Sequence, residues 1–149
     1  MPISLSLNQQ VALITGGSRG IGAAAVRMFV AAGARVMFNY EKSREKAEQL
    51  VKELGPDRCA TVACDLSGTE TAVELVAATS KRFGRLDILV ANHGVWSPED
   101  APIEKMAEAQ WRRTLSINVD AVFALIKHSV AQMKKQGRTG GAAGHIVLV

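Results

Sequence analysis

Five short apolar runs alternate with longer stretches of helical periodicity along this chain. The apolar runs, which we interpret as strands, cover about Gln10 to Thr15, Arg35 to Asn39, Cys59 to Cys64, Asp87 to Ala91 and Ile146 to Val149. Between them, apolar side chains recur three and four positions apart, and this spacing predicts helices. Strands and helices in alternation indicate βαβ units. We therefore predict an α/β protein with a doubly wound parallel sheet and helices on both faces.

The third predicted helix has a start signal and an apolar face. Ser67 and Glu70 have the spacing of a capping box, in which two side chains bond the free backbone N–H groups of the first turn. We expect this helix to turn Val73, Val76 and Ala77 inward. It should pack on the sheet through that face.

A long helical region is predicted from about Ile103 to Gln136, in one piece or two, and it has two apolar faces. The first face consists of Leu115, Val119, Val122, Ile126, Val130 and Met133. The second consists of Ile117, Ala121, Ala124, Leu125 and His128. Two apolar sides suggest that one meets the sheet and the other a second subunit, in a homodimer or homotetramer. A later part of the same chain would cover the second side equally well.

Composition narrows the class of protein. A chain of 149 residues, 48% hydrophobic, can bury one core and is most simply one domain. Its longest apolar run, Ile88 to Ala91, is too short to cross a membrane. The net charge of +4 is scattered, which argues against a nucleic-acid partner.

Cys59 and Cys64 fall on opposite faces of one strand, so we expect buried thiols rather than a disulfide or metal pair. Without a signal-peptide pattern, the expected location is the cytoplasm.

The candidate chemistry is concentrated in Thr15 to Gly22, which reads Thr-Gly-Gly-Ser-Arg-Gly-Ile-Gly between the first strand and the first helix. Glycine permits positive φ and lets the backbone come close to a phosphate. Unpaired N–H groups at the start of the helix also favour an anion. We interpret this stretch as a phosphate-binding turn. It is not the phosphate loop of nucleotide hydrolases, because Ala23 and Ala24 stand where that loop requires Lys and Ser or Thr.

The spacing Thr-Gly-x-x-x-Gly-x-Gly, formed by Thr15, Gly16, Gly20 and Gly22, resembles the short-chain dehydrogenase/reductase family. The resemblance extends over the whole chain and corresponds to the amino-terminal part of a typical member. It implies a Rossmann-like fold truncated after the fifth strand. It also implies hydride transfer between a nicotinamide cofactor and a small-molecule carbonyl or secondary alcohol. Combined with Asn39 and Tyr40, the turn looks most like the branch that reduces 3-oxoacyl thioesters on a carrier protein.

Ligands of such a sheet lie beyond the carboxyl ends of the strands. Taken from those ends, the candidate cofactor-binding residues are Gly16, Ser18, Arg19, Gly20, Ile21, Gly22, Tyr40, Asp65, Leu66, Asn92, His93 and Gly94. The resemblance implies that Asp65 bonds the adenine amino group, and an Asx turn toward Ser67 is the local alternative. His93 and Ala91 replace an Ala and an Asn of the family's Asn-Asn-Ala-Gly. We expect His93 to pack beside the cofactor rather than to act as an acid or base.

The end of the second strand indicates which cofactor is preferred. Enzymes that use NAD usually place an acidic side chain about 20 residues past the glycines, where this chain has Tyr40. Since no carboxylate there repels a 2′-phosphate and Arg19 can pair with one, NADP is favoured over NAD. Glu41, the next residue, weighs against NADP.

Asn118 interrupts an apolar helical stretch, where its amide needs hydrogen-bond partners. The segment from Trp111 to Phe123 resembles the family's helix that contributes a catalytic asparagine. This implies that Asn118 binds a water through its backbone and continues a proton relay. The alternative is a polar residue satisfied at a helix kink.

The family's serine follows the fifth strand and its Tyr-x-x-x-Lys pair lies further on, whereas this chain has neither. We therefore expect residues to follow Val149 in the complete protein, and we expect these 149 residues alone to be inactive. A non-catalytic NADP(H)-binding module needs only the motifs present, and small alcohol or sugar dehydrogenases share most of them. A methyltransferase also binds an adenosyl group beside a glycine turn, but it predicts an acidic residue where Tyr40 stands.

Overall fold

The computed structural model describes residues 6–96, 101–137 and 141–149. Its strands are β1 (Val11–Ile14), β2 (Arg35–Tyr40), β3 (Cys59–Ala63), β4 (Ile88–Ala91) and β5 (His145–Leu148). Its helices are α1 (Gly20–Ala31), α2 (Arg44–Leu54), α3 (Thr69–Phe83), α4 (Glu108–Leu115) and α5 (Ala121–Lys135). A short 3₁₀ turn, Ile103–Lys105, precedes α4, and a π turn, Ser116–Asp120, joins α4 to α5. Each predicted strand is present, with ends that differ by at most one residue.

All five strands are parallel and lie in the order β3-β2-β1-β4-β5. Ile14 of β1 lies between Phe38 of β2 and Val90 of β4. The chain winds outward from β1 to β3 and then crosses back to β4 on the other side of β1. The prediction of a doubly wound parallel sheet is confirmed. Its switch of direction, between β1 and β4, is where such sheets bind ligands.

The two faces of the sheet bury two separate apolar clusters, because successive strand side chains point to opposite faces. Val11 and Leu13 of β1 pack with α3 and α5, in a cluster that includes Leu75 and Leu125. Ala12 and Ile14 pack with α1 and α2 on the other face. Every side chain of β1 is fully buried, as expected of a central strand covered on both sides.

The prediction for the start and the inner face of α3 was wrong in detail. Gly68 is the residue before the helix and no side chain caps it, so the capping box of Ser67 and Glu70 does not form. Val73 and Ala77 are exposed, whereas Val76 is buried as predicted. The buried stripe is Ala72, Leu75, Val76, Thr79 and Phe83. The helix is rotated from the predicted orientation because its inner face must fit both the sheet and α5.

The long helical region is in two pieces: the 3₁₀ turn stands apart, and α4, the π turn and α5 follow one another without a gap. Within the second piece, Ala121, Ala124 and Leu125 are buried against the sheet and α3, and Ile117 is buried as well. Most of the other predicted face is at least partly exposed, and Leu115 and Val119 are its most exposed members described. Trp111 and Phe123 enlarge this apolar surface. One predicted face therefore meets the protein interior. Of the other, Met133 and Ile126 join the same core, and Leu115 and Val119 lie on the surface of the described structure.

Cys59 and Cys64 lie on opposite faces of the sheet, as predicted, and both thiols are free. Burial raises the pKa of Cys59 to about 12, and burial also raises the pKa of Cys64. Both side chains are consequently inert thiols at neutral pH. Within the described ranges, the structure contains no helix with both the length and the apolar character needed to cross a membrane.

Candidate cofactor site

A cleft of about 760 Å³ opens at the carboxyl ends of β1 to β4. Every candidate cofactor-binding residue predicted from the sequence lines it. Asn39, Lys42 and Arg113 line it as well, although they were not among the candidates. Asn118 lines an adjoining space that shares His93, Gly94 and Val95 with the cleft. The fold therefore brings all the predicted residues to one edge of the sheet.

The glycine turn has a backbone that only glycine accommodates well. Gly16 and Gly20 have φ of 65° and 54°, in the left-handed region. A Cβ on Gly22 would lie 2.7 Å from Asn92 Nδ2 and still closer to the carbonyl oxygen of Gly16. At the start of α1, no side chain makes a capping hydrogen bond and the first turn has no acidic residue. The N–H groups there, with the helix dipole, fit a phosphate anion.

Asn39, the penultimate residue of β2, holds the glycine turn in place. Its Oδ1 accepts from the Gly16 N–H at 2.9 Å, and its Nδ2 donates to the Cys64 carbonyl at 3.2 Å. Its own carbonyl accepts from the Gly17 N–H at 3.1 Å. The side chain is only 4% exposed. Asn39 was not among the predicted cofactor-binding residues, although an amide at the end of a largely apolar strand was the available signal.

Thr15 and Asn92 join the ends of β1 and β4. The Thr15 hydroxyl accepts from the Asn92 N–H at 3.0 Å and from the His93 N–H at 3.1 Å. Asn92 Nδ2 donates to the Thr15 carbonyl at 3.1 Å. These bonds fix the two strand ends that border the switch of direction. Asn92 thus shapes the floor of the cleft from both its backbone and its side chain.

His93 is bound through both ring nitrogens. Nδ1 lies 2.8 Å from Thr15 Oγ1, and Nε2 lies 3.0 Å from the carbonyl oxygen of Ile117. Burial lowers the pKa of His93, and the bond to Ile117 acts in the opposite direction with a smaller effect. Sequence reasoning placed His93 beside the cofactor but could not have found these partners, because Ile117 is remote along the chain.

Asn118 lies in the π turn between α4 and α5. Its Oδ1 accepts from the Val95 N–H at 2.8 Å, and its Nδ2 donates to the Val95 carbonyl at 2.9 Å. The amide is therefore satisfied by the loop that follows β4. The Ser116 hydroxyl donates to the carbonyl of Ser67, which ties the same turn to the loop after β3. A catalytic role for Asn118 stays a prediction, and any such role falls to its backbone, because its side chain is engaged.

Asp65 and Leu66 follow β3 at the edge of the cleft. Asp65 Oδ1 accepts from the Ser67 N–H at 2.9 Å, so the local Asx turn is present. Leu66 is 5% exposed and packs into the cluster on the α3 side. The Asx turn leaves the second carboxylate oxygen of Asp65 available, and its bond to adenine stays a prediction.

Three cations line the cleft. Arg19 is exposed in the glycine turn, and no hydrogen bond or ion pair joins its guanidinium to any other residue in the described part of the chain. Lys42 Nζ lies 3.5 Å from Glu41 Oε1, and Arg113 extends from α4. Tyr40 is 7% exposed, and its side chain belongs to the apolar cluster on the α1 side. The end of β2 therefore presents no unpaired carboxylate to the cleft.

A family comparison agrees with this arrangement. The family model described as short chain dehydrogenase matches residues 10–149, which is nearly the whole chain. The chain belongs to the short-chain dehydrogenase family. Short-chain dehydrogenase reductase 3a of Arabidopsis thaliana is 33% identical over 136 residues, which are 91% of this chain and 52% of the relative. This short-chain dehydrogenase chain thus spans about half the length of the curated relatives it matches.

Solved structures of short-chain dehydrogenases have the same fold. A short chain dehydrogenase from Burkholderia cenocepacia in complex with NADP is 32% identical, with a TM-score of 0.84 over 95% of this chain and 55% of that one. A blue fluorescent protein from a metagenomic library in complex with NADPH is 33% identical, with a TM-score of 0.84 over 96% of this chain and 56% of that one. Both neighbours are therefore complexes with the phosphorylated nicotinamide cofactor.

Proposed function

We propose that this chain is the cofactor-binding part of an NADP-dependent oxidoreductase that moves hydride between nicotinamide and a carbonyl or secondary alcohol. The observation that carries the proposal is the uncapped amino end of α1 beside the glycine turn. Its N–H groups face a cleft that every candidate residue lines. When bound, the cofactor supplies the hydride, and the protein supplies binding, orientation and proton transfer.

The residues of the cleft divide the binding between them. The glycine turn binds the pyrophosphate through backbone N–H groups, and Asn39 and Asn92 hold that turn against β2 and β4. Asp65 and Leu66 bind the adenine from the end of β3. The family membership supports these assignments, and each residue lies at the carboxyl end of a strand, as ligand-binding residues do in this type of sheet.

NADP is the proposed cofactor because of the charges near the end of β2. The Arg19 guanidinium has no partner among the described residues and can pair with a 2′-phosphate. Glu41, which weighed against NADP, has Lys42 beside it at 3.5 Å, so the pair adds no net negative charge. Two solved relatives that carry NADP or NADPH support the same choice.

The proposal extends to catalysis, to the substrate and to the assembly. Asn118 is the proposed catalytic contribution of this chain, through its backbone in the π turn. A 3-oxoacyl thioester is the proposed substrate, from the turn and Tyr40, with small alcohols and sugars as the alternatives. The exposed apolar residues of α4 and α5 support association into a dimer or tetramer through residues 103–136.

Titration with NADPH and NADH tests the cofactor proposal directly. The chain is expected to bind NADPH more tightly than NADH. Arg19→Ala should weaken NADPH about tenfold to a hundredfold, the loss of one hydrogen-bonded charge contact, and change NADH about threefold at most. Arg112→Ala, which removes an exposed arginine paired with Glu108 on α4, is the matched control and should bind as the wild type does. Equal losses for both cofactors in Arg19→Ala would contradict the 2′-phosphate assignment, and no uptake of either cofactor would contradict the function.

A further inference from the structure

His93 lies where three segments of the chain meet. One ring nitrogen faces Thr15 at the end of β1, and the other faces Ile117 in the π turn. Its backbone belongs to the loop that follows β4. A single imidazole therefore bridges the glycine turn on one side of the cleft and the turn that carries Asn118 on the other. Glycine or alanine at position 93 has no side-chain atom that reaches either partner, and only the backbone N–H would still contact Thr15.

The partners of His93 determine its tautomer. The Ile117 carbonyl can only accept, so Nε2 carries a hydrogen and donates it at 3.0 Å. Thr15 Oγ1 already accepts from two backbone N–H groups, those of Asn92 and His93, which occupy its two lone pairs. Its own hydrogen is therefore donated to Nδ1 at 2.8 Å rather than to the Val90 carbonyl at 3.4 Å. His93 is the neutral imidazole with the hydrogen on Nε2.

The π turn supplies the carbonyl that His93 binds. In an α-helix the Ala121 N–H would donate to the Ile117 carbonyl, four residues earlier. Here the Ala121 N–H donates to the Ser116 carbonyl, five residues earlier. The change in hydrogen-bond register frees the Ile117 oxygen for the imidazole. The irregular turn and the histidine consequently form one unit.

We propose that His93 is a positioning residue, whose neutral imidazole fixes the turn at Thr15 to the π turn that carries Asn118 and so holds the two walls of the cleft in register. A protonated imidazole has a hydrogen on Nδ1, and that hydrogen faces a hydroxyl whose lone pairs are already used. Protonation therefore breaks the link to Thr15. The prediction that loss of this link weakens NADP(H) binding rests on the proposed function. The hydrogen-bonded link between Thr15 and Ile117 does not depend on that function.

The surroundings of His93 set the direction of its pH dependence. The two groups that its ring contacts, the Thr15 hydroxyl and the Ile117 carbonyl, are uncharged. The charged residues that line the same cleft are Arg19, Glu41, Lys42, Asp65 and Arg113, and Asp120 lies in the π turn. Burial lowers the pKa of His93 below its ordinary value of 6.5. Because an unfolded chain has the ordinary value, the link contributes its full stability above pH 6.5 and loses it as the pH falls through the lowered pKa.

Two substitutions test the link without a cofactor. His93→Gln offers one acceptor and one donor that do not titrate, and His93→Ala offers neither. In urea denaturation, the free energy of unfolding of the wild type should fall as the pH is lowered from about 8 to about 5. Both variants should show a smaller fall, because they lack the titrating imidazole. His93→Ala should be the less stable variant at both pH values. His145→Gln, which removes an exposed histidine from β5, should retain the wild-type profile.

Nitrogen NMR of the imidazole rings and NADPH titration complete the test. The ring of His93, assigned by its absence in His93→Gln, should carry its hydrogen on Nε2 and titrate below 6.5. A hydrogen on Nδ1, or an ordinary pKa, would overturn the proposal.

At about pH 8, His93→Ala should bind NADPH about fivefold more weakly, and His93→Gln should recover most of the affinity. Wild-type affinity in His93→Ala would overturn the positioning role. Failure of all forms to bind NADPH would count against the proposed function, while the NMR and denaturation results would still decide the link.

Discussion

Replacement of Asn39 by alanine removes the side chain that joins the glycine turn to β3. Two hydrogen bonds are lost, at 2.9 Å from the Gly16 N–H and at 3.2 Å to the Cys64 carbonyl. Each such bond contributes about 1 kcal/mol, and a partly buried group left unpaired adds a desolvation cost. We expect the free energy of unfolding to fall by about 2–3 kcal/mol. For a chain of this size that is a decrease in Tm of about 4–12 °C.

Urea denaturation followed by circular dichroism measures this loss, and NADPH titration measures its effect on the turn. Asn8→Ala is the matched control, because Asn8 is exposed at the amino end of the described chain and should change stability by less than about 0.5 kcal/mol. NADPH should bind more weakly to Asn39→Ala, since the Gly16 N–H is no longer held by a side chain of β2, although the Gly17 N–H keeps its bond to the carbonyl of residue 39. A loss of less than about 1 kcal/mol in Asn39→Ala would show that the two bonds do not hold the turn.

Two further substitutions separate the cleft from the rest of the fold. Gly22→Ala brings a Cβ to 2.7 Å from Asn92 Nδ2 and should lower the free energy of unfolding by about 1–3 kcal/mol. It should also weaken NADPH binding at least tenfold. Normal binding would mean that the turn is not the phosphate site. Gln136→Ala removes bonds of 2.9 and 2.6 Å to the backbone N–H and carbonyl of Leu86, far from the cleft. It should lower the free energy of unfolding in urea by about 1–2 kcal/mol and leave the Kd for NADPH unchanged. A weaker affinity for NADPH in Gln136→Ala would show that stability and cofactor binding are not separate.

The orientation of the helices was the part of the fold that local pattern predicted least well. In α3, Val73 and Ala77 fit a helical stripe as well as the buried Ala72 and Leu75 do, so spacing alone did not select the inner face. The capping box also matched in spacing, but the helix begins after Gly68. In both cases the neighbouring sheet and α5 determined which orientation buries the most apolar surface, and a local motif contains no information about those neighbours.

The candidate site divides in the same way. Glycines, Arg19 and Asn92 were identified because their chemistry depends on a short local motif. Asn39 and the role of His93 were missed because their partners, Gly16, Cys64 and Ile117, are more than 20 residues away along the chain. The π turn was also missed, since its spacing differs from that of an α-helix by a single residue.

The sequence by itself determined the alternation of strands and helices, the glycine turn after the first strand and the residues that follow each strand at one edge of the sheet. These features follow from side-chain periodicity and from the conformational freedom of glycine, which are properties of neighbouring residues. Only the tertiary structure decided which helix faces are buried and how His93 joins Thr15 to Ile117. A hydrogen bond between distant residues depends on a position and an angle that the whole fold sets, so it is determined only when the strands and helices are packed together.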